Sequence, residues 1–188
     1  MDSETGDGPP RALLVTALVV AVAGIVAVLA IAVMRQGSAP QQPVPVAAVP
    51  APAATSSQCA DLLAGLPDEL GDHARAPLAD PAPPGAAAWR PEGGGEPIVL
   101  RCGVERPAEF VAGAPVQVVD EVQWFRVSEP GAETADVDQA RSTWFAVDRG
   151  VYVALTLPQG SGPTPIQLLS AAIAKALPAK PVVPGPPR

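Results

Sequence analysis

From Ala12 to Met34 the chain runs 23 residues without a charged side chain, almost all of them Ala, Val, Leu and Ile. No other feature constrains the fold as strongly. As a helix, with about 1.5 Å of rise per residue, the run is roughly 34 Å long and matches a hydrocarbon core of about 30 Å. Arg11 and Arg35 bracket it, as suits side chains that must reach the headgroups, and Gly24 is its one helix-weak residue. A single transmembrane helix is therefore expected over residues 12–34. The alternative is a cleaved signal peptide, with the small residues Gly37, Ser38 and Ala39 just beyond Arg35. An apolar signal core spans only about 7–15 residues, so the run is long for one. Ser56-Ser57-Gln58 ahead of Cys59 is a poor lipoprotein box.

Charge does not orient the helix, because one Arg stands at each end and the next basic residue is Arg75. The distribution of the chain does: a short tail, residues 1–11, precedes the helix, and both cysteines follow it. The expected arrangement is a cytoplasmic N-terminus and an extracytoplasmic C-terminal part. Residues 35–58 read as a Pro/Ala-rich linker, with Pro40, Pro43, Pro45, Pro50 and Pro52 favouring an extended chain that could reach roughly 70 Å. Residues 59–178 are the expected folded domain. All seven aromatic residues fall inside it, between Trp89 and Tyr152. Residues 179–188, with Pro181, Pro184, Pro186 and Pro187, read as a disordered tail.

Within the domain, Cys59–Leu66 carries Leu62, Leu63 and Leu66 at helical spacing, with Ser57 as N-cap and Pro67 as the stop. The Pro, Gly and Ala content of Gly71–Gly95 predicts mostly loop. Ile98–Val104 and Val116–Val127 read as strands, the second bending near Asp120-Glu121. Ser142–Val147 and Val151–Leu157 predict a hairpin around Asp148-Arg149-Gly150, with Gly150 in the left-handed region. Thr164-Pro165-Ile166-Gln167 has the form of a capping box opening a helix whose stripe is Ile166, Leu169, Ile173 and Leu177. The predicted class is α+β: an antiparallel sheet with N- and C-terminal helices packed on it, preceded by the membrane helix and the linker.

Several of these segments, in this order, carry a family resemblance. They are Cys59 to Pro67, Trp89, Pro97 to Val104 with its core Leu100-Arg101-Cys102-Gly103-Val104, Val122-Gln123-Trp124, the strand pair from Trp144 to Pro158, and Leu168 to Pro178. Together they resemble the actinobacterial domain-of-unknown-function family 3515. The resemblance implies a small membrane-anchored or secreted envelope protein. It implies no catalytic residue, because the family has no established activity.

The chemistry in the sequence is sparse. The net charge of −7 argues against a nucleic-acid surface, and residues 59–178 hold eight basic against sixteen acidic side chains, which disfavours docking on anionic lipid. Cys59 and Cys102 are the only cysteines, and outside the membrane a structural disulfide between them is expected. A redox pair is the alternative, although there is no Cys-x-x-Cys. His73, the only histidine, sits among Asp68, Glu69, Asp72 and Arg75 and reads as a solvated surface residue. No Gly-x-Ser-x-Gly is present, and one histidine cannot build a zinc set. Glu133, Asp136 and Asp138 lack calcium-loop spacing. No catalytic residue, cofactor or metal is expected. Trp124 and Trp144 lie in strand patterns and read as core, whereas Trp89 sits in an apparent loop and is the one expected to present a ligand face. The expected role is structural or interactive in the cell envelope, with a membrane span and an envelope protein as partners. The alternative is a binding module for a cell-wall polymer or small ligand.

Overall fold

The computed structural model describes residues 11–35, 42–128 and 141–187. It divides into two units, helix α1 (Arg11–Arg35) and a domain that begins after it. Side chains within α1 are described for residues 14–28, and at about 1.5 Å per residue that stretch reaches roughly 22 Å. Among the described residues no helix is long and apolar enough to cross a membrane.

The domain is α+β, as expected. Its centre is one eight-stranded sheet, antiparallel throughout: β1 (Glu69–Leu70), β2 (His73–Ala76), β3 (Ala86–Pro91), β4 (Ile98–Val104), β5 (Gln117–Val119), β6 (Val122–Ser128), β7 (Ser142–Ala146) and β8 (Tyr152–Leu157). The order across the sheet is β1-β2-β3-β4-β8-β7-β6-β5, so two four-stranded meanders meet where β4 pairs with β8. Strand alternation divides the side chains between two faces. Ile98, Leu100 and Cys102 of β4 and Val153, Leu155 and Leu157 of β8 point to one of them. That face is covered by α2 (Ser57–Ala64) and α3 (Thr164–Ala176), which bring Leu62, Ile166, Leu169 and Ile173 into the main core. Trp124 completes it: its Nε1 donates to Ser170 Oγ at 2.9 Å, which satisfies both buried polar groups.

The element termini correct several expectations by their local chemistry. Ser56, not Ser57, caps α2, accepting from the Cys59 amide at 3.3 Å. Helix α3 begins at Thr164 behind Pro163, whose backbone is already helical, and no side chain caps it, so the Thr164–Gln167 box does not form. Gly71–Gly95 lies mostly outside strands, as expected, but it also holds β2 and β3, which the sequence did not predict. The expected bend at Asp120-Glu121 is a two-residue hairpin turn joining Val119 to Val122, with Asp120 at φ 51°. The β7–β8 hairpin forms, but its last pair is Ala146 with Val153, so the connection is longer than Asp148-Arg149-Gly150, and Gly150 is not among the residues of positive φ.

The larger corrections concern the proline-rich segments. Residues 42–58 are not a free linker. Val44 is fully buried against Ala76, Ala88 and Val99 on the face opposite the helices. Its amide donates to Pro77 O at 2.8 Å, and its carbonyl accepts from Ala79 N at 2.9 Å. Further along, Ala53 N donates to Gly103 O at 3.1 Å. Residues 44–54 therefore form a strap over the outer face of the sheet. The tail is not free either. Lys180 N donates to Asp148 O, Gly185 pairs with Val111, Tyr152 Oη donates to Val183 O, and Val182 packs against the cluster of Phe110, Phe125 and Val147. An uncovered sheet face accounts for both, since extended chain with few amide donors can lie across apolar side chains without forming strands of its own.

The strap passes Gly103, the irregular position in β4, which lies at φ 80°. A Cβ there would collide with the backbone of Ala53 and Ala54. Gly103→Ala is expected to destabilise the domain by at least about 2 kcal/mol, from left-handed strain plus the collision. Urea unfolding measures this, and a change within about 0.5 kcal/mol would show that the strap does not press on β4.

Candidate functional site

The outer face of the sheet is only partly covered. The strap crosses its β2–β4 end, and Phe110 with the tail crosses its β6–β7 end. Between them lie two depressions of about 300 and 310 Å³. They share Arg101 and Thr156 in their lining, so they form one groove. The first half is ionic, with Arg90, Arg101, Arg141 and Glu96 around Val99 and with Pro45 and Ala47 of the strap as wall. The second is more apolar, with Ala154, Phe145, Val104 and Pro107 beneath Val49 and Pro50.

The register explains how the floor is assembled. Thr156 pairs across β4–β8 with Val99, and Arg101 with Ala154, so small side chains flank the guanidinium. Thr143 of β7 faces Thr156, and their hydroxyl oxygens are 3.1 Å apart. Arg141 Nη1 donates to Glu96 Oε1 at 3.3 Å across the rim. Arg90 and Arg101 stand differently, since the Nε of each is buried with no hydrogen-bond acceptor. Burial lowers the pKa of Arg101, and the Arg141 guanidinium lowers it further. The groove lining thus sets Arg90, Arg101 and Arg141 against Glu96 and Glu105, a small positive excess in a domain that is acidic as a whole.

Trp89 does not present a ligand face. It is 0% exposed, its Nε1 donates to Pro67 O at 2.9 Å, and Arg75 lies over its ring at 4.8 Å. The reason is that Ala86–Pro91 is strand β3, and pairing with Ile98 turns the indole beneath the helices. Burial lowers the pKa of Arg75, and Asp68 offsets part of that shift. Trp144 packs against the main core at its margin. It is half-buried beside a separate cavity of about 350 Å³ near the start of α3, lined also by Gln117, Arg126, Ser142 and Ile166. Its Nε1 donates to Ser142 Oγ at 3.0 Å, and Arg126 lies 5.2 Å from its ring centroid.

His73 is not a solvated residue. It is 7% exposed in β2, with Nδ1 2.7 Å from Asp72 Oδ1. Cys59 and Cys102 are joined in a disulfide, both fully buried, with Cα atoms 5.6 Å apart. Glu133, Asp136 and Asp138 lie outside the described residues. Among the described residues no group of three or more His, Cys, Asp or Glu is placed to hold a metal ion.

Sequence reasoning missed a buried pair. Asp148 and Arg149, placed in a hairpin turn by their pattern, are 3% and 8% exposed. Arg149 Nη1 lies 2.9 Å from Asp148 Oδ2, and Nη2 donates to Glu121 O at 2.7 Å. The pair thus ties the β7–β8 turn to the β5–β6 turn, and Asp148 O holds the tail through Lys180 N. Its position gives it a structural role. The signal available in sequence was a charged pair inside a turn next to Val147 and Val151, which does not separate buried from exposed.

With this geometry in place, a family model described as a protein of unknown function (DUF3515) matches residues 18–182. The chain belongs to that family. No curated protein and no solved structure matches it. The matched range of this family member takes in the strap and reaches Val182 in the tail, as well as the sheet and its helices.

Asp148→Ala leaves a buried guanidinium without its carboxylate and is expected to cost about 3–5 kcal/mol. Replacing both residues, as Asp148→Leu with Arg149→Met, is expected to cost less than the single change. Thermal and urea unfolding of the two variants decide this. A double variant weaker than the single one would mean that the pair contributes through its packing.

Proposed function

We propose that this chain is a single-pass membrane protein of the cell envelope, with a cytoplasmic N-terminus and an extracytoplasmic domain that acts by binding or structural support and not by catalysis. The buried Cys59–Cys102 disulfide on the C-terminal side of an uncharged helix carries the reading, because such bonds persist in oxidising compartments. Helix α1 supports it. The Leu, Val and Ile side chains described in it, among them Leu14, Leu18, Val22 and Ile25, are exposed all round, and a helix apolar on every side belongs in a bilayer or a large core. The full apolar run of residues 12–34 has the length of a span. Neither Arg11 nor Arg35 has to leave the interface in that arrangement.

A second reading, that the domain is a ligand-binding module, is favoured by the outer-face groove and no longer by Trp89. Among the described residues the groove has no nucleophile–base pair: Thr143 and Thr156 face each other, and the one histidine is beneath the other face of the sheet. Binding is the activity that these side chains support.

Fractionation and thiol labelling of the full chain in intact cells test the anchor and its orientation. The chain is expected in the carbonate-resistant membrane pellet, with protease added outside the cells removing the domain. Cys59 and Cys102 are expected to react with maleimide only after reduction and unfolding. Two reactive thiols in the native protein, or a chain released by carbonate, would overturn the assignment.

A further inference from the structure

Buried guanidinium nitrogens rarely stay unpaired in folded proteins, because each lost hydrogen bond leaves the cost of desolvation uncompensated. In this domain the other long polar side chains of the sheet show how that cost is met. Trp89, Trp124 and Trp144 each donate to an oxygen, and Arg149 donates from both Nη groups although its Nε meets no acceptor. Arg90 and Arg101 open into the outer-face groove. Both line the ionic half of the outer-face groove, with buried Nε groups that meet no acceptor. They flank Val99 on adjacent strands, and the carboxylate that shares the cavity, Glu96, is held by Arg141. The floor between them is Val99, which carries no charge.

We propose that the outer-face groove binds an oxyanion, a phosphate or carboxylate group, between Arg90 and Arg101, with the apolar remainder of the ligand lying toward Ala154 and Phe145. The guanidinium fork suits this task, since its planar donors match two oxygens of a carboxylate or phosphate at once. Thr143 and Thr156 add hydroxyls at the junction of the two halves. The halves, about 300 and 310 Å³, are each sized for a small group, and their continuity through Arg101 and Thr156 selects a ligand that is charged at one end and apolar at the other. The strap contributes the wall: Pro45 and Ala47 face the ionic half, and Val49 and Pro50 the apolar half. The segment that reads as a spacer thereby becomes part of the site. This assignment deepens the binding reading given above and is independent of the anchor.

The test is a titration of the full chain in maltoside micelles with hexyl phosphate, hexanoate, inorganic phosphate and hexanol, followed by isothermal calorimetry. Saturable binding of hexyl phosphate or hexanoate is expected, at least tenfold tighter than hexanol. The tighter of the two acids identifies which oxyanion the site takes. Hexyl phosphate is expected to bind more tightly than inorganic phosphate if both halves are used. Arg101→Gln and Arg90→Gln are each expected to weaken binding at least tenfold, while Lys175→Gln, on the opposite layer, leaves it unchanged. Circular dichroism confirms that each variant is folded, and Arg101→Lys, which keeps the charge and loses the fork, is expected to fall between. No saturable binding of either acid would overturn the assignment, and so would binding that survives both Arg→Gln changes. Failure here would leave the membrane reading standing, and failed fractionation would leave these affinities as measured.

Discussion

The structure depends on how β4 is held on both of its faces. Cys102 reaches from it to Cys59 of α2 on the helix side. One residue later, Gly103 lets Ala53 and Ala54 of the strap press on the strand's backbone. β4 is also the strand at which the first meander joins the second through β8. A disulfide closing a loop of this length contributes roughly 4 kcal/mol in the chain-entropy account. Its position matters as much as its size, because the closed loop contains β1, β2 and β3 and so fixes the first meander against its neighbour. A side chain at position 103 would lift the strap, and with it the wall of the groove.

The two faces of the sheet are covered by different means, and the difference follows from composition. The helix face is paired with stripes of Leu and Ile, and the polar groups it buries are satisfied inside the core, as between Trp124 and Ser170. The outer face carries Ala88, Ala154, Thr143, Thr156 and the arginines at its middle, with Val99 toward one end and Phe125, Phe145 and Tyr152 toward the other. Its middle offers little apolar area for a helix to bury, since burial stabilises in proportion to the apolar surface removed from water. Val44 with Val46, and Val182, anchor extended segments at the ends where Val99 and Phe125 offer something to bury.

What the sequence revealed, and what it concealed, follows the same division. Elements whose evidence is local were legible. The stripe of Ile166, Leu169, Ile173 and Leu177, the alternation in Val151–Leu157 and the cysteine pair all correspond to structure. Strand β3 was hidden because Ala86-Ala87-Ala88 has weak strand preference, and only pairing with β2 and β4 holds it. Misplacing Trp89 followed directly from that. The prolines at 43, 45, 50 and 52 correctly predicted a chain without helix or strand of any length, yet composition cannot tell an extended chain in solvent from one laid on a sheet. The groove was illegible for a related reason. Arg90 and Arg101 are eleven positions apart and come together only through antiparallel pairing, and the wall that encloses them comes from a third segment.

The proline-rich strap gives the groove a property that a helix or a strand in its place would not. A helix laid over β3, β4 and β8 would bring its own side chains down onto Arg101, and an added strand would pair at an edge and leave the face bare. An extended segment held by hydrogen bonds at Val44 and again at Ala53 stands over the sheet between those points and encloses space without filling it. Proline keeps such a segment extended with little conformational entropy left to lose on folding. The same prolines that keep the strap, residues 44–54, from forming regular structure therefore keep the ionic half of the groove open. Substituting them with helix formers would be felt at the arginines before it was felt in the core.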